Sequence, residues 1–233
     1  MLNIYKHVTL CCITSVFLIF YLVFATAPVQ TLDSMVATPK ERLLGLVEKQ
    51  TVVRPKDVEA LDIPRTYLYR LRDEGILEQV GRGAFALANR EITENNALAV
   101  VQTCVPTSVT CLLSALRFHD LTTQAPSETW IAIDVHGWRP SFDYPPLRTV
   151  YMSGKARTEG VETHQIEGIE VRIFSAAKTV ADCFKYRHKI GIDIAIEALR
   201  DYHRTKNSMD DVWRYARVCR VKNVLRPYLE SLV

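Results

Sequence analysis

The chain is 233 residues long, 48% hydrophobic and 24% charged, with a formal net charge of +3 at pH 7. That composition excludes a low-complexity or disordered polymer and fits folded protein with a buried core, enough for one large or two small domains. The charge is too small to argue for a nucleic-acid partner by itself, so any basic surface must be local.

The first element in chain order is apolar. From Val8 to Ala27 there is no charged residue, and about 20 apolar residues can span a bilayer. Lys6 before this stretch and Ala25-Thr26-Ala27 at its end also resemble a secretory signal, although Pro28 is unfavourable after the Ala-x-Ala. Three readings stand: a signal peptide, a membrane anchor, or translated upstream DNA before a true start at Met35. The break in composition near Met35 favours the third. If the stretch is an anchor, Lys40, Arg42 and Lys49 outweigh Lys6 and keep the main body in the cytoplasm. Residues 1–35 are set apart as this leader, and a membrane is a partner only if residues 8–27 are translated and retained. The main body is expected to be cytoplasmic.

Residues 36–92 read as three short helices and a hairpin. Leu43, Leu44 and Val47 give Lys40 to Gln50 an apolar stripe of helical period. Pro55 opens a second helix carrying Val58 and Leu61. Asp62 is placed to cap a third, with Pro64 in its first turn, running to about Glu74 and stopping at Gly75. Ile76 to Val80 and Ala84 to Leu87 are short strands around Gly81-Arg82-Gly83. This is the order of a winged helix-turn-helix.

In the third helix Leu68 and Leu71 point one way, with Tyr67 beside them, while Arg65, Thr66 and Tyr69 share another face and Arg70 lies near it. A helix in the major groove needs this division: an apolar side holds it to the domain, and its N-terminal side chains touch base edges. Arginine reads guanine through two parallel hydrogen bonds. Arg82, between glycines that let the chain turn closely, reaches a phosphate or the minor groove. The candidate DNA-binding residues are thus Arg65, Thr66, Tyr69, Arg70 and Arg82. A solvated basic face is the plainer alternative, because from Lys40 to Arg82 nine basic residues stand against eight acidic ones. Some winged helices bind proteins instead.

Residues 93–233 form the second expected domain, which makes the chain α+β: a winged helix followed by a larger mixed α/β domain ending in helices. Ala97 to Val101 and Val109 to Phe118 read as helices, and residues 129–135, 148–153 and 168–174 as strands. A proline-rich loop spans 138–146. Ser175 caps a helix from Ala176 to Tyr186, and Ile192 to Tyr202 follows with Ile196 and Leu199 inward. Ser208 and Asp211 suggest a capping box before a further helix, and Pro227 marks a kink in an amphipathic tail carrying Val224, Leu225 and Leu229.

Chemistry is sparse. Asp134, Glu170, Lys178 and Asp182 invite a metal-dependent nuclease reading, but Glu170-Val171-Arg172 offers arginine where such a site wants lysine. Lys178 and Asp182, four apart on one helix, read better as an ion pair. The histidines at 119, 136, 164, 188 and 203 are scattered, and Trp130, Trp138 and Trp213 read as packing residues. The six cysteines, Cys11, Cys12, Cys104, Cys111, Cys183 and Cys219, include no Cys-x-x-Cys pair and no zinc spacing. They read as idle thiols in a reducing cytosol. No enzyme activity, metal or cofactor is expected. The run Asp182 to Lys189 is basic with interleaved aromatics. It reads equally as a contact for nucleic acid or a partner protein and as a solvated helix end.

Three stretches carry a family resemblance. "RTYLYRLRDEGILEQVGRGAFAL" resembles the winged helix of AbiEi-like antitoxins of type IV toxin–antitoxin systems. "SVTCLLSALRFHDLTTQAPSETWIAID" (108–134) and "GIEVRIFSAAKTVADCFKYRHKIGIDIAIEALRDY" (168–202) are similar to that family's second domain. The resemblance implies a non-enzymatic repressor of its own operon that binds operator DNA at inverted repeats, self-associates, and counteracts a nucleotidyltransferase-like toxin. By position it places an antitoxin-domain motif on Ser175, Lys178, Thr179 and Asp182, followed by Lys185, Arg187 and Lys189. Where the family often has arginine this chain has Lys178, which keeps the charge but lacks the planar fork.

Overall fold

In a computed structural model the fold is described for residues 37–90, 93–140 and 145–232. The leader, with its three readings, Cys11 and Cys12 lie outside the described residues, as do 141–144 of the proline-rich loop.

The first helix, α1 (Pro39–Lys49), buries Leu43 and Val47 one turn apart. α2 (Pro55–Glu59) opens on its proline and buries Val58. α3 (Thr66–Asp73) buries Leu68 and Leu71. The expected cap at Asp62 is not formed. Asp62 takes a left-handed conformation (φ 56°), and α3 begins later, with Arg65 at the N-cap and no side-chain cap bond. The tight turn through Asp62 and Pro64 spends the residues that an earlier start would have needed.

The stop is the expected one. Gly75 is left-handed (φ 73°), its N–H donates to Arg72 O at 2.9 Å, and Ile76 N–H donates to Leu71 O at 2.9 Å. This pair of bonds satisfies carbonyls that a helix end otherwise leaves open.

β1 (Leu77–Gly81) and β2 (Ala84–Leu87) pair antiparallel, with Leu77 opposite Leu87 and a bulge between Gln79 and Gly81. A third strand element, absent from the sequence expectation, is Val53, whose N–H and C=O both bond to Phe85. One side of the hairpin joins Leu43, Val47, Val58, Leu68 and Leu71 in a common core through Leu77 and Phe85. The other side, Val80, Ala84 and Ala86, packs with Val52 and with Val100. Val100 belongs to α4 (Asn96–Cys104).

Beyond α4 the chain builds a five-stranded sheet in the order β5-β4-β3-β7-β6. Its members are β3 (Val109–Thr110), β4 (Thr129–Asp134), β5 (Leu147–Met152), β6 (Val161–Ile166) and β7 (Ile169–Phe174). β3 lies antiparallel to β4 and parallel to β7, and β4 lies parallel to β5. Val109 and Thr110 are therefore strand, not the start of a helix. They pair on both sides, Cys111 stays extended as the N-cap (φ −143°), and α5 covers only Leu112–Phe118. β6, a polar edge strand unforeseen in the sequence, pairs antiparallel with β7.

A four-residue turn, α6 (Lys155–Thr158), precedes β6. After β7 come α7 (Ala176–Lys185), α8 (Arg187–Ile190), α9 (Ile192–Arg204), α10 (Met209–Val218) and α11 (Lys222–Glu230). Ser175 caps α7 by accepting from Lys178 N–H at 3.3 Å. The capping box at Ser208 is not formed: its side chain makes no cap bond, and Asp211 instead meets Arg214 at 3.1 Å. Ala132, Val150, Phe174, Val180, Phe184, Leu199 and Leu225 share the main core on the side of these helices. Leu98 and Ala99 of α4 cover Val171 and Ile173 from the opposite side. Leu199 is buried and Ile196 half-buried, and Pro227 lies inside α11.

The turn Glu167-Gly168 between β6 and β7 is pinned to the end of α1. Glu167 C=O accepts from Thr51 N–H at 3.2 Å and from Thr51 Oγ1 at 3.0 Å. Its carboxylate accepts from Thr93 and, at 2.8 Å, from Asn96 Nδ2.

Candidate nucleic-acid interface

α3 positions its side chains as a two-faced rod. Leu68 is 0% and Leu71 1% exposed, whereas Arg65, Thr66, Tyr69 and Arg70 are all exposed. Arg65 and Thr66 stand at the first turn, where unpaired backbone N–H groups give the end a partial positive charge.

Tyr69 is 40% exposed and is held on two sides. Its ring stands edge-on against Phe85 of β2 at 5.5 Å, and the Arg72 guanidinium lies 5.3 Å from its centroid. The contact fixes α3 against the hairpin. Arg82 is exposed at the hairpin tip, followed by Gly83 in a left-handed conformation (φ 67°) that side chains rarely adopt.

Arg70 is less available than its exposure suggests. Its Nε donates to Glu74 at 3.0 Å, and Lys40 of α1 donates to the same carboxylate at 2.9 Å. The Lys40 ammonium and then the Arg70 guanidinium hold Glu74 below the usual carboxylate range. The arrangement offers Arg65 and Arg82, unpaired among the described residues, with the Thr66 hydroxyl and the Tyr69 phenol. It suits phosphate contacts and hydrogen bonds to base edges, not covalent chemistry.

The motif residues of the second part do not form one surface. Lys178, Thr179 and Asp182 are each 0% exposed. Lys178 Nζ bonds to Asp182 Oδ2 and lies 4.3 Å from the centre of the Phe174 ring. The other oxygen of Asp182 accepts from Cys219 Sγ at 3.1 Å, and Thr179 Oγ1 donates to Phe174 C=O at 3.2 Å. Lys185 and Arg187 are half-buried at the surface; Lys185 and Lys189 flank the Tyr186 ring, each at 5.5 Å.

The buried thiols are poor nucleophiles. Burial pushes Cys111 and Cys183 well up, and burial with the Asp182 charge raises Cys219 to about 12. The carboxylates considered for metal chemistry are apart: Asp134 meets Arg157 at 3.5 Å, Glu170 is exposed, and Asp182 is inside. Among the described residues no group of three His, Cys, Asp or Glu side chains is placed to hold a metal, and no helix is long and apolar enough to cross a membrane.

Helices α1 to α3 and the hairpin thus share one core and leave one face of α3 exposed. Residues 41–88, which run through these elements, match a family model described as "Transcriptional regulator, AbiEi antitoxin". No curated protein matches the chain.

Proposed function

We propose that the chain is the antitoxin of a toxin–antitoxin pair and a repressor of its own operon. Residues 36–92 form a winged helix-turn-helix that reads operator DNA at inverted repeats. Residues 93–233 form the domain that counteracts a nucleotidyltransferase-like toxin and supports self-association, without enzymatic activity and in the cytoplasm. The observation that carries this is the exposed quartet Arg65, Thr66, Tyr69 and Arg70 on a helix whose leucines are fully buried, beside a hairpin tipped by Arg82. The family match over 41–88 supports it independently.

In this reading Lys178, Thr179 and Asp182 act as scaffold, while Lys185 and Arg187 are the members able to meet a partner. A protein-docking role for the winged unit is favoured by one observation: Arg70 and Lys40 are both occupied by Glu74, which thins the cationic face.

Gel-shift titration on the chain's own promoter separates the two. Sequence-specific binding that weakens steeply with salt supports the repressor. Equal affinity for promoter and unrelated DNA, or none, overturns it.

A further inference from the structure

A polar groove of about 650 Å³ lies between the segment joining α1 to α2 and the face of β6 and β7. Its volume is in the range of small-ligand sites, about 300–1,000 Å³. Its two cations are Arg54 and Arg172. In each, the guanidinium Nε is buried without a hydrogen-bond partner among the described residues.

The two cations are not equally compensated. Arg54 lies 3.8 Å from Asp57, a carboxylate already engaged by the Arg54 backbone N–H at 2.8 Å. Arg172 has no carboxylate in contact among the described residues; its Nη2 is held by the carbonyls of Pro106 and Ser108, each at 2.8 Å. Burial and the neighbouring Arg157 both lower the Arg172 pKa, which marks a cation short of negative charge. Beside the arginines the groove presents the side-chain amides of Gln50 and Gln165, the Thr163 hydroxyl and, at an exposed position, Glu170.

Guanidinium forks match phosphate oxygens, and glutamine amides match the paired donor and acceptor of a base edge. We propose that this groove binds a nucleotide, with Arg172 and Arg54 on the phosphate and Gln50 and Gln165 at the base. The site is independent of the DNA-binding face on α3. A phosphate in the groove would supply the negative charge that Arg172 lacks among the described residues.

Isothermal titration of the full chain with AMP, and separately with inorganic phosphate, tests this. Saturable AMP binding tighter than phosphate is expected, weakened about tenfold or more by Arg172→Gln. Should Arg172→Gln unfold the chain, Thr163→Trp fills the groove from an exposed strand position and should abolish AMP binding without changing Tm. No binding of AMP at millimolar concentration, AMP binding no better than phosphate, or AMP binding untouched by Thr163→Trp would each overturn the assignment.

Discussion

Gly168 is packed against Lys49 so closely that a β-carbon added to it would lie 2.1 Å from the Lys49 carbonyl oxygen, with φ at +74°. Only glycine satisfies both constraints. Gly168→Ala should therefore cost about 2 kcal/mol or more in urea unfolding. A loss under about 0.5 kcal/mol, the level of an ordinary surface substitution, would show that the contact gives way.

The Lys178–Asp182 pair should behave as a buried pair does. Replacing either partner alone, Lys178→Met or Asp182→Leu, leaves an uncompensated charge in the interior, at about 3–5 kcal/mol. The double variant Lys178→Met/Asp182→Leu should recover most of that, because the helix still fills the same volume. Denaturation of the two single variants and the double variant checks it, and additive losses would contradict the pairing.

On DNA, Arg65→Ala should cost about 1–3 kcal/mol and relax base preference if Arg65 reads a guanine. Arg82→Ala should weaken binding to all sequences and reduce the salt slope by about one. Fluorescence anisotropy at several salt concentrations distinguishes the two. Identical salt slopes for wild type and Arg82→Ala would remove the tip from the interface.

Glu74→Gln should free Arg70 and Lys40 and tighten DNA binding at low salt. It should also change how stability responds to acid. The folded carboxyl titrates below its ordinary value, so its contribution is complete above about pH 4.3 and disappears as pH falls through the lowered folded value. Wild-type and variant unfolding midpoints should differ at neutral pH and converge in acid. A constant difference would show that the ion pairs are not the cause.

The raised thiols give a chemical test. Cys111, Cys183 and Cys219 should resist iodoacetamide at mildly alkaline pH in the folded chain and react once it is denatured. Peptide mass spectrometry reads each position, and prompt native labelling of Cys183 would contradict its burial.

The three helices and the hairpin between Pro39 and Leu87 were legible because their signals are local. A leucine pair, a proline near the start and a glycine in the left-handed C′ position each act within one or two turns. Val53 was not legible, since a one-residue strand leaves no pattern and is made by Phe85 more than thirty positions away. β6 escaped for a related reason: "VETHQI" is an edge strand with both faces largely polar, and only pairing with β7 makes it a strand. The spacing of Lys178 and Asp182 announced their pairing but not their complete burial, which is set by helices that arrive later in the chain. Glu74 was readable as an i+4 partner for Arg70, yet Lys40 lies 34 residues away and no local rule finds it.

The hairpin is glued along its inner side, where Val80, Ala84 and Ala86 meet Val100. It is a fin braced from behind, not a loose arm. If the unit clasps DNA as proposed, the spacing between the rod and the fin is preset, and it is the duplex that has to widen or bend to suit them. A fragment cut after residue 92 would lose the brace and expose a greasy seam, so its failure to bind would say little about the intact chain.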